Sequence, residues 1–160
     1  MKTLTFLLAC GLPIAAAAHG DEHHPRDPKA PISTEHHPWG QEGDPRQARR
    51  TVRVAMADTM RFTPDRIEIR RGETVTFELR NQGRLLHEFV IGTPDELAQH
   101  AELMKKFPDM EHDAPYMAHV KPGTRQRITW RFTEPGTFHA GCLIAGHWEA
   151  GMKATLIVKE

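Results

Sequence analysis

Apolar residues recur at every second position in four separate stretches of this chain, and that period constrains its fold more than any other feature. Val52, Val54 and Met56 alternate with Thr51, Arg53 and Ala55, and Ile67 and Ile69 alternate with Arg66, Glu68 and Arg70. Val75, Phe77 and Leu79 alternate with Thr74, Thr76, Glu78 and Arg80, and Ile128, Trp130 and Phe132 with Arg127, Thr129 and Arg131. Successive side chains of an extended chain point to opposite faces, so each stretch reads as a strand with one buried face. Turn formers punctuate them: Thr63-Pro64-Asp65, Arg71-Gly72, Asn81-Gln82-Gly83, Lys121-Pro122-Gly123 and Glu134-Pro135-Gly136. Two further strands are predicted over Gly136 to Leu143 and Lys153 to Lys159. Many short strands at regular spacing predict an all-β sandwich.

One insertion, at about 93–120, breaks the rhythm. Thr93-Pro94-Asp95-Glu96 reads as a helix start, with Thr93 as the cap, Pro94 in the first turn and Glu96 closing a capping box. Leu97, Ala101, Met104 and Phe107 fall on one helical face, and Pro108 ends the helix.

The chain before the strands divides in two. Residues 1–18 carry Lys2, an apolar run from Leu4 to Leu12 and four alanines ending at Ala18, the pattern of a secretory signal cleaved before His19. The apolar run is too short to span a bilayer, so no membrane insertion is expected. Leu7-Leu8-Ala9-Cys10 also fits a lipid-attachment box, a reading that leaves Gly11 to Ala18 without a purpose. Residues 19–48 hold Pro25, Pro28, Pro31, Pro38 and Pro45 together with His19, His23, His24, His36 and His37, and few large apolar groups. Such a segment buries too little surface to offset its ordering entropy and is expected to form a flexible tail, leaving 49–160 as the domain. With 21 basic and 21 acidic residues, no net positive field invites nucleic acid.

Export changes the cysteine count. Cys10 leaves with the signal, so Cys142 is the lone thiol of the mature chain, in a compartment that normally pairs thiols. It opens Cys142-Leu-Ile-Ala-Gly-His147-Trp-Glu-Ala-Gly-Met152, a thiol, an imidazole and a thioether each separated by four residues. By alternation Cys142 faces inward with Phe138 and Ala140, and His87 faces inward with Leu85, Phe89 and Ile91. Two imidazoles, a thiolate and a weak thioether are the trigonal set of a type-1 copper site. Zinc sites prefer four strong donors or keep a place for water, and neither uses Met152. The bland alternative is an inert buried thiol beside unrelated packing residues.

At these residues the chain resembles the cupredoxin family. The Cys-x4-His-x4-Met loop is similar in spacing to that of rusticyanin. Met60-Arg-Phe-Thr-Pro-Asp, Arg71-Gly-Glu-Thr-Val and His87-Glu-Phe-Val resemble a bacterial periplasmic branch associated with copper handling. The resemblance implies a Greek-key sandwich with one type-1 copper held by His87, Cys142 and His147, with Met152 axial. It also implies an Asn or Ser after the first histidine to brace the loop, where this chain has Glu88. Enzymes of this lineage combine several such domains and use His-x-His pairs, which are absent here, so no enzymatic activity is expected beyond oxidation of Cu(I) itself.

Two functional readings follow for a monomer in the periplasm. The first is copper tolerance, by binding, buffering or oxidising copper. His19, His23, His24, His36 and His37 in the tail supply further donors for it, as do Met104, Met110, His112, Met117 and His119 (with His100) in the insertion. The solvated-linker and covering-helix readings of these segments stand beside it. The second is an electron shuttle, with Leu86, Ile144 and Trp148 as a docking rim for a periplasmic redox partner. A copper-handling protein is the alternative partner.

Overall fold

The computed structural model describes residues 30–108 and 113–160. The expected signal peptide therefore lies outside the described residues, as do His19, His23, His24, Met110 and His112. Among the described residues, no helix is long and apolar enough to cross a membrane.

The chain forms the expected all-β sandwich. One sheet has six strands in the order β1 (His36–His37), β2 (Gly40–Glu42), β9 (Arg125–Arg131), β6 (Thr74–Asn81), β3 (Arg50–Ala57) and β4 (Arg61–Thr63). The other has five, in the order β5 (Arg66–Arg70), β11 (Lys153–Lys159), β10 (Gly136–Gly141), β7 (His87–Gly92) and β8 (Met117–Val120). The chain passes between the sheets repeatedly, as a Greek-key sandwich requires. β3 pairs parallel with β6 and β11 parallel with β5, so neighbours far apart in sequence lie side by side. The alternating positions meet between the sheets: Val54, Met56, Ile67, Ile69, Phe77, Leu79, Ile128, Trp130 and Phe132 all belong to one buried core.

The insertion does two jobs. Its helix, α1 (Pro94–Lys106), has the anticipated capping box, with the Thr93 hydroxyl accepting from the Glu96 amide and the Glu96 carboxylate accepting from the Thr93 amide. Leu97, Ala101 and Met104 bury against Val90, Met117 and Leu143, forming a second core outside the five-stranded sheet. The segment then returns as β8, which pairs antiparallel with β7. As a result β7 is covered on both faces, and all six of its residues are buried. Phe107 departs from expectation. It sits where the helix ends and the backbone turns away (φ −133°, ψ 69°), which leaves it 56% exposed.

The expected tail boundary at residue 48 needs correction. β1 and β2 extend the six-stranded sheet, and Trp39 between them is 3% exposed. Trp39 stacks on His37 at 4.5 Å between ring centroids, Trp130 donates its indole N–H to the Trp39 carbonyl at 3.2 Å, and Tyr116 packs edge-on. One buried indole offsets the ordering cost that a proline-rich composition otherwise leaves unmet. Gly40 has φ 126°, and a Cβ there would run into the Arg131 carbonyl, so glycine is what lets β2 approach β9.

Candidate metal centre

Three elements converge at one end of the sandwich. β6 ends at the fully buried Asn81, whose side chain donates to the carbonyls of Leu85 (2.7 Å) and Val120 (2.8 Å) and accepts from the Gly83 amide. These bonds fold residues 82–86 into a tight connection that delivers His87 to the start of β7. Leu85 belongs to this connection and is 47% exposed, so it does not share the inward face of His87 as strict alternation had suggested.

Cys142 follows the last residue of β10 and is completely buried. The loop after it closes on itself through backbone bonds. The amide of Cys142 donates to the Met152 carbonyl (3.1 Å), that of Met152 to the His147 carbonyl (3.0 Å), and that of His147 to the Ile144 carbonyl (2.9 Å). Gly146 and Gly151, at φ 88° and 94°, make the two sharp bends that this closure needs. Arg61 donates to the Ala150 carbonyl at 2.8 Å and ties the loop to β4. Met152 is brought back beside Cys142 and buried with it in the main core.

His87, Cys142 and His147 each offer one ligand atom, and these atoms lie within 4.8 Å of one another. Cys142 Sγ is 3.2 Å from His147 Nδ1, and the two imidazole rings are 5.2 Å apart between centroids. His87 is fully buried, its Nε2 is 3.1 Å from Asp58 Oδ1, and its Nδ1 has no hydrogen-bond partner among the described residues. A buried ring nitrogen left without a partner is costly unless something else occupies its lone pair. His147 is only half-buried, so it forms the solvent-facing side of the group.

Burial sets the electrostatics of the thiol and of one imidazole. Burial pushes the Cys142 thiol up to about 12, against the opposing pull of the Glu88 amide, which donates to Sγ at 3.3 Å. Burial also lowers His147 below the usual histidine range, with the neighbouring His87 acting in the same sense. Asp58 is held below the usual carboxylate range, chiefly by the Arg84 amide. A soft sulfur and two imidazoles are the donors expected for copper rather than for calcium or magnesium.

Glu88 takes up the bracing position after the first histidine. Its carboxylate accepts from the Leu143 amide at 3.2 Å and faces His119 Nε2 at 3.1 Å, while its own amide reaches Cys142 Sγ. Its side chain therefore points to the face of β7 opposite His87, beneath α1.

The remaining donors anticipated from sequence are dispersed. Among the described residues, His87, Cys142 and His147 are the one group of three or more His, Cys, Asp or Glu close enough to share an ion. Met104 and Met117 pack in the core under α1, His119 pairs with Glu88, and His37 stacks on Trp39, whereas His36 is exposed. Trp148 is no free rim residue, because it lies over Gly141 and carries Lys153 Nζ 3.6 Å above its ring. Asp58 escaped sequence reasoning entirely, since an aspartate in a turn carries no signal of a histidine 29 positions later.

Comparison with known proteins gives a consistent result. The cupredoxin-like domain family model matches residues 32–158. A "copper-resistant cuproprotein CopI" of Rubrivivax gelatinosus is 50% identical over 122 residues, spanning 76% of this chain and 74% of that one. A protein of the same name from Pseudomonas aeruginosa is 33% identical over 76% of this chain and 82% of its own. Reduced auracyanin from Roseiflexus castenholzii superposes with a TM-score of 0.61 at 22% identity, covering 71% of this chain and 99% of auracyanin, a likeness of fold.

Proposed function

Because this chain belongs to the cupredoxin-like family, we propose that it holds one redox-active copper ion and serves in copper tolerance outside the cytoplasm. In this reading His87, Cys142 and His147 would be the strong ligands, and Met152 would be the weak one. The observation that carries it is the convergence of one buried thiol and two imidazoles within 4.8 Å, with His87 Nδ1 left without a hydrogen-bond partner among the described residues. Copper bound there supplies one-electron chemistry between Cu(I) and Cu(II). The chain's own contribution is rigidity: Asn81 fixes the approach to His87, and the closed loop fixes His147 and Met152 relative to Cys142. The tolerance role is supported by the printed names of the relatives in R. gelatinosus and P. aeruginosa. Export is supported by the signal-like pattern of residues 1–18.

A second reading, electron transfer to a protein partner, is favoured by Leu85 and Leu86. They are 47% and 40% exposed, adjacent to each other, and immediately precede His87. Weak redox encounters use small interfaces of this kind.

Adding Cu(II) to the mature protein tests the site. An intense thiolate-to-copper absorption band is expected, and it disappears in Cys142→Ser. A wild-type protein without such a band, or a band that survives the substitution, overturns the assignment. Deleting the gene separates the roles. Copper-sensitive growth supports tolerance, and normal growth in copper with impaired respiration supports the shuttle.

A further inference from the structure

The geometry points to Asp58 as the positioning residue that sets which nitrogen of His87 is offered to the metal. The inference rests on the copper reading above but adds a residue outside the ligand set. Asp58 lies in the turn after β3, in the opposite sheet from His87, so its contact crosses the sandwich. Its carboxylate accepts from three donors on one short stretch of chain: the amides of Arg84 (2.7 Å) and Leu85 (3.3 Å) and the ring of His87 (3.1 Å). Gly83 is part of the same arrangement, because a Cβ there would collide with the Asp58 carboxylate.

An ionised carboxylate only accepts hydrogen bonds. The hydrogen of a neutral His87 therefore sits on Nε2, and the lone pair sits on Nδ1, the nitrogen with no partner among the described residues. Two consequences follow. The ring is locked in the tautomer and orientation that a metal at Nδ1 requires, before any metal arrives. The partner is also an anion, which makes the imidazole a stronger donor than a neutral acceptor would. A stronger donor stabilises Cu(II) over Cu(I). The two amide contacts couple this effect to the connection carrying Leu85 and Leu86, so one side chain orders both the ligand and the exposed apolar pair beside it.

The test uses Asp58→Asn and Asp58→Ala in the full mature chain, with two independent readouts. The first is the nitrogen-15 shift of the His87 ring in the copper-free protein. Wild type is expected to show hydrogen on Nε2, Asp58→Ala a mixture of tautomers, and Asp58→Asn an intermediate state. The second is Cu(II) affinity and reduction potential. Loss of an outer partner typically weakens metal binding by about 10–100-fold. Where that loss falls on Cu(II) alone, the potential rises by about 59 mV per tenfold. Hydrogen on Nδ1 in wild type overturns the inference. So do variants that keep the wild-type tautomer and potential. Should Asp58→Ala fail to fold, Asp58→Asn carries the test alone, since its one amide oxygen can still accept from the Arg84 amide, the shorter of the two backbone contacts. If wild type shows the expected tautomer but no thiolate band with copper, the copper reading fails while the assignment of Asp58 to His87 stands.

Discussion

Glu88 is bonded to the Cys142 segment twice, through its amide to the sulfur at 3.3 Å and through its carboxylate to the following amide, of Leu143, at 3.2 Å. These two contacts cross from β7 to the chain leaving β10 and fix the sulfur with respect to the strand that bears His87. The carboxylate is 1% exposed, and His119 from the end of the insertion faces it at 3.1 Å. A long acidic side chain can stand where a short amide or hydroxyl would suffice because β8 and α1 cover that face and supply the partner.

Glu88→Ala therefore leaves the Leu143 amide without its acceptor and His119 without the facing carboxylate. The expected cost is about 1–3 kcal/mol for the buried Leu143 amide left unsatisfied. Glu88→Gln keeps an acceptor for Leu143 and is expected to lose less. Thermal or urea unfolding of the copper-free proteins checks the order, and equal stabilities for the two variants would contradict it.

The buried thiol makes stability depend on alkaline pH. The Cys142 thiol is raised from an ordinary value of 9.0 to about 12, so the folded copper-free chain retains its proton more tightly than the unfolded chain does. The sign follows from linkage: this contribution is complete below about pH 9 and is lost as pH rises toward 12. Melting temperatures of wild type are expected to fall across that window, and those of Cys142→Ala to fall less. Copper uptake near neutral pH should release a proton from the thiol, measurable with a pH indicator in weak buffer.

At the acid end the histidines act in the opposite sense. Burial lowers both His139 and His147, so protonation is harder in the folded chain than in the unfolded one. Their contribution is present above the ordinary histidine value of 6.5 and declines as pH falls through the lower folded values. His139→Asn is expected to reduce the acid sensitivity of the copper-free protein while leaving His87, Cys142 and His147 in place, as urea midpoints at pH 5 and pH 7 would reveal.

Trp39 anchors the edge of the six-stranded sheet. Trp39→Ala removes a side chain that is 3% exposed and undoes its stack on His37, with an expected cost of about 3–5 kcal/mol. Protease cleavage in the segment 30–48 should then become rapid. Cleavage at the wild-type rate would show that the segment holds without its indole.

The strands of the main core were legible because alternation is a local property. Val75, Phe77 and Leu79 state their own face whatever they meet across the sandwich. The helix was legible for the same reason, since Thr93, Pro94 and Glu96 act on each other within a single turn. Cys142, His147 and Met152 could be read as a candidate ligand loop from spacing alone, and His87 from its place on an inward face. Sequence was silent where a contact joins distant segments. The proline-rich stretch around Trp39 looked unable to order itself, because composition does not record the pocket that β9 and Tyr116 provide. Leu85 broke the alternation because Asn81 and Asp58 bend the chain just ahead of β7, and Phe107 broke the helical pattern because the helix ends there. Residue order along the chain determined which groups had the chemistry of a candidate metal site. Tertiary structure alone decided which nitrogen of His87 meets Asp58 and which carboxylates stand behind the candidate ligands, because hydrogen bonds depend on distance in space.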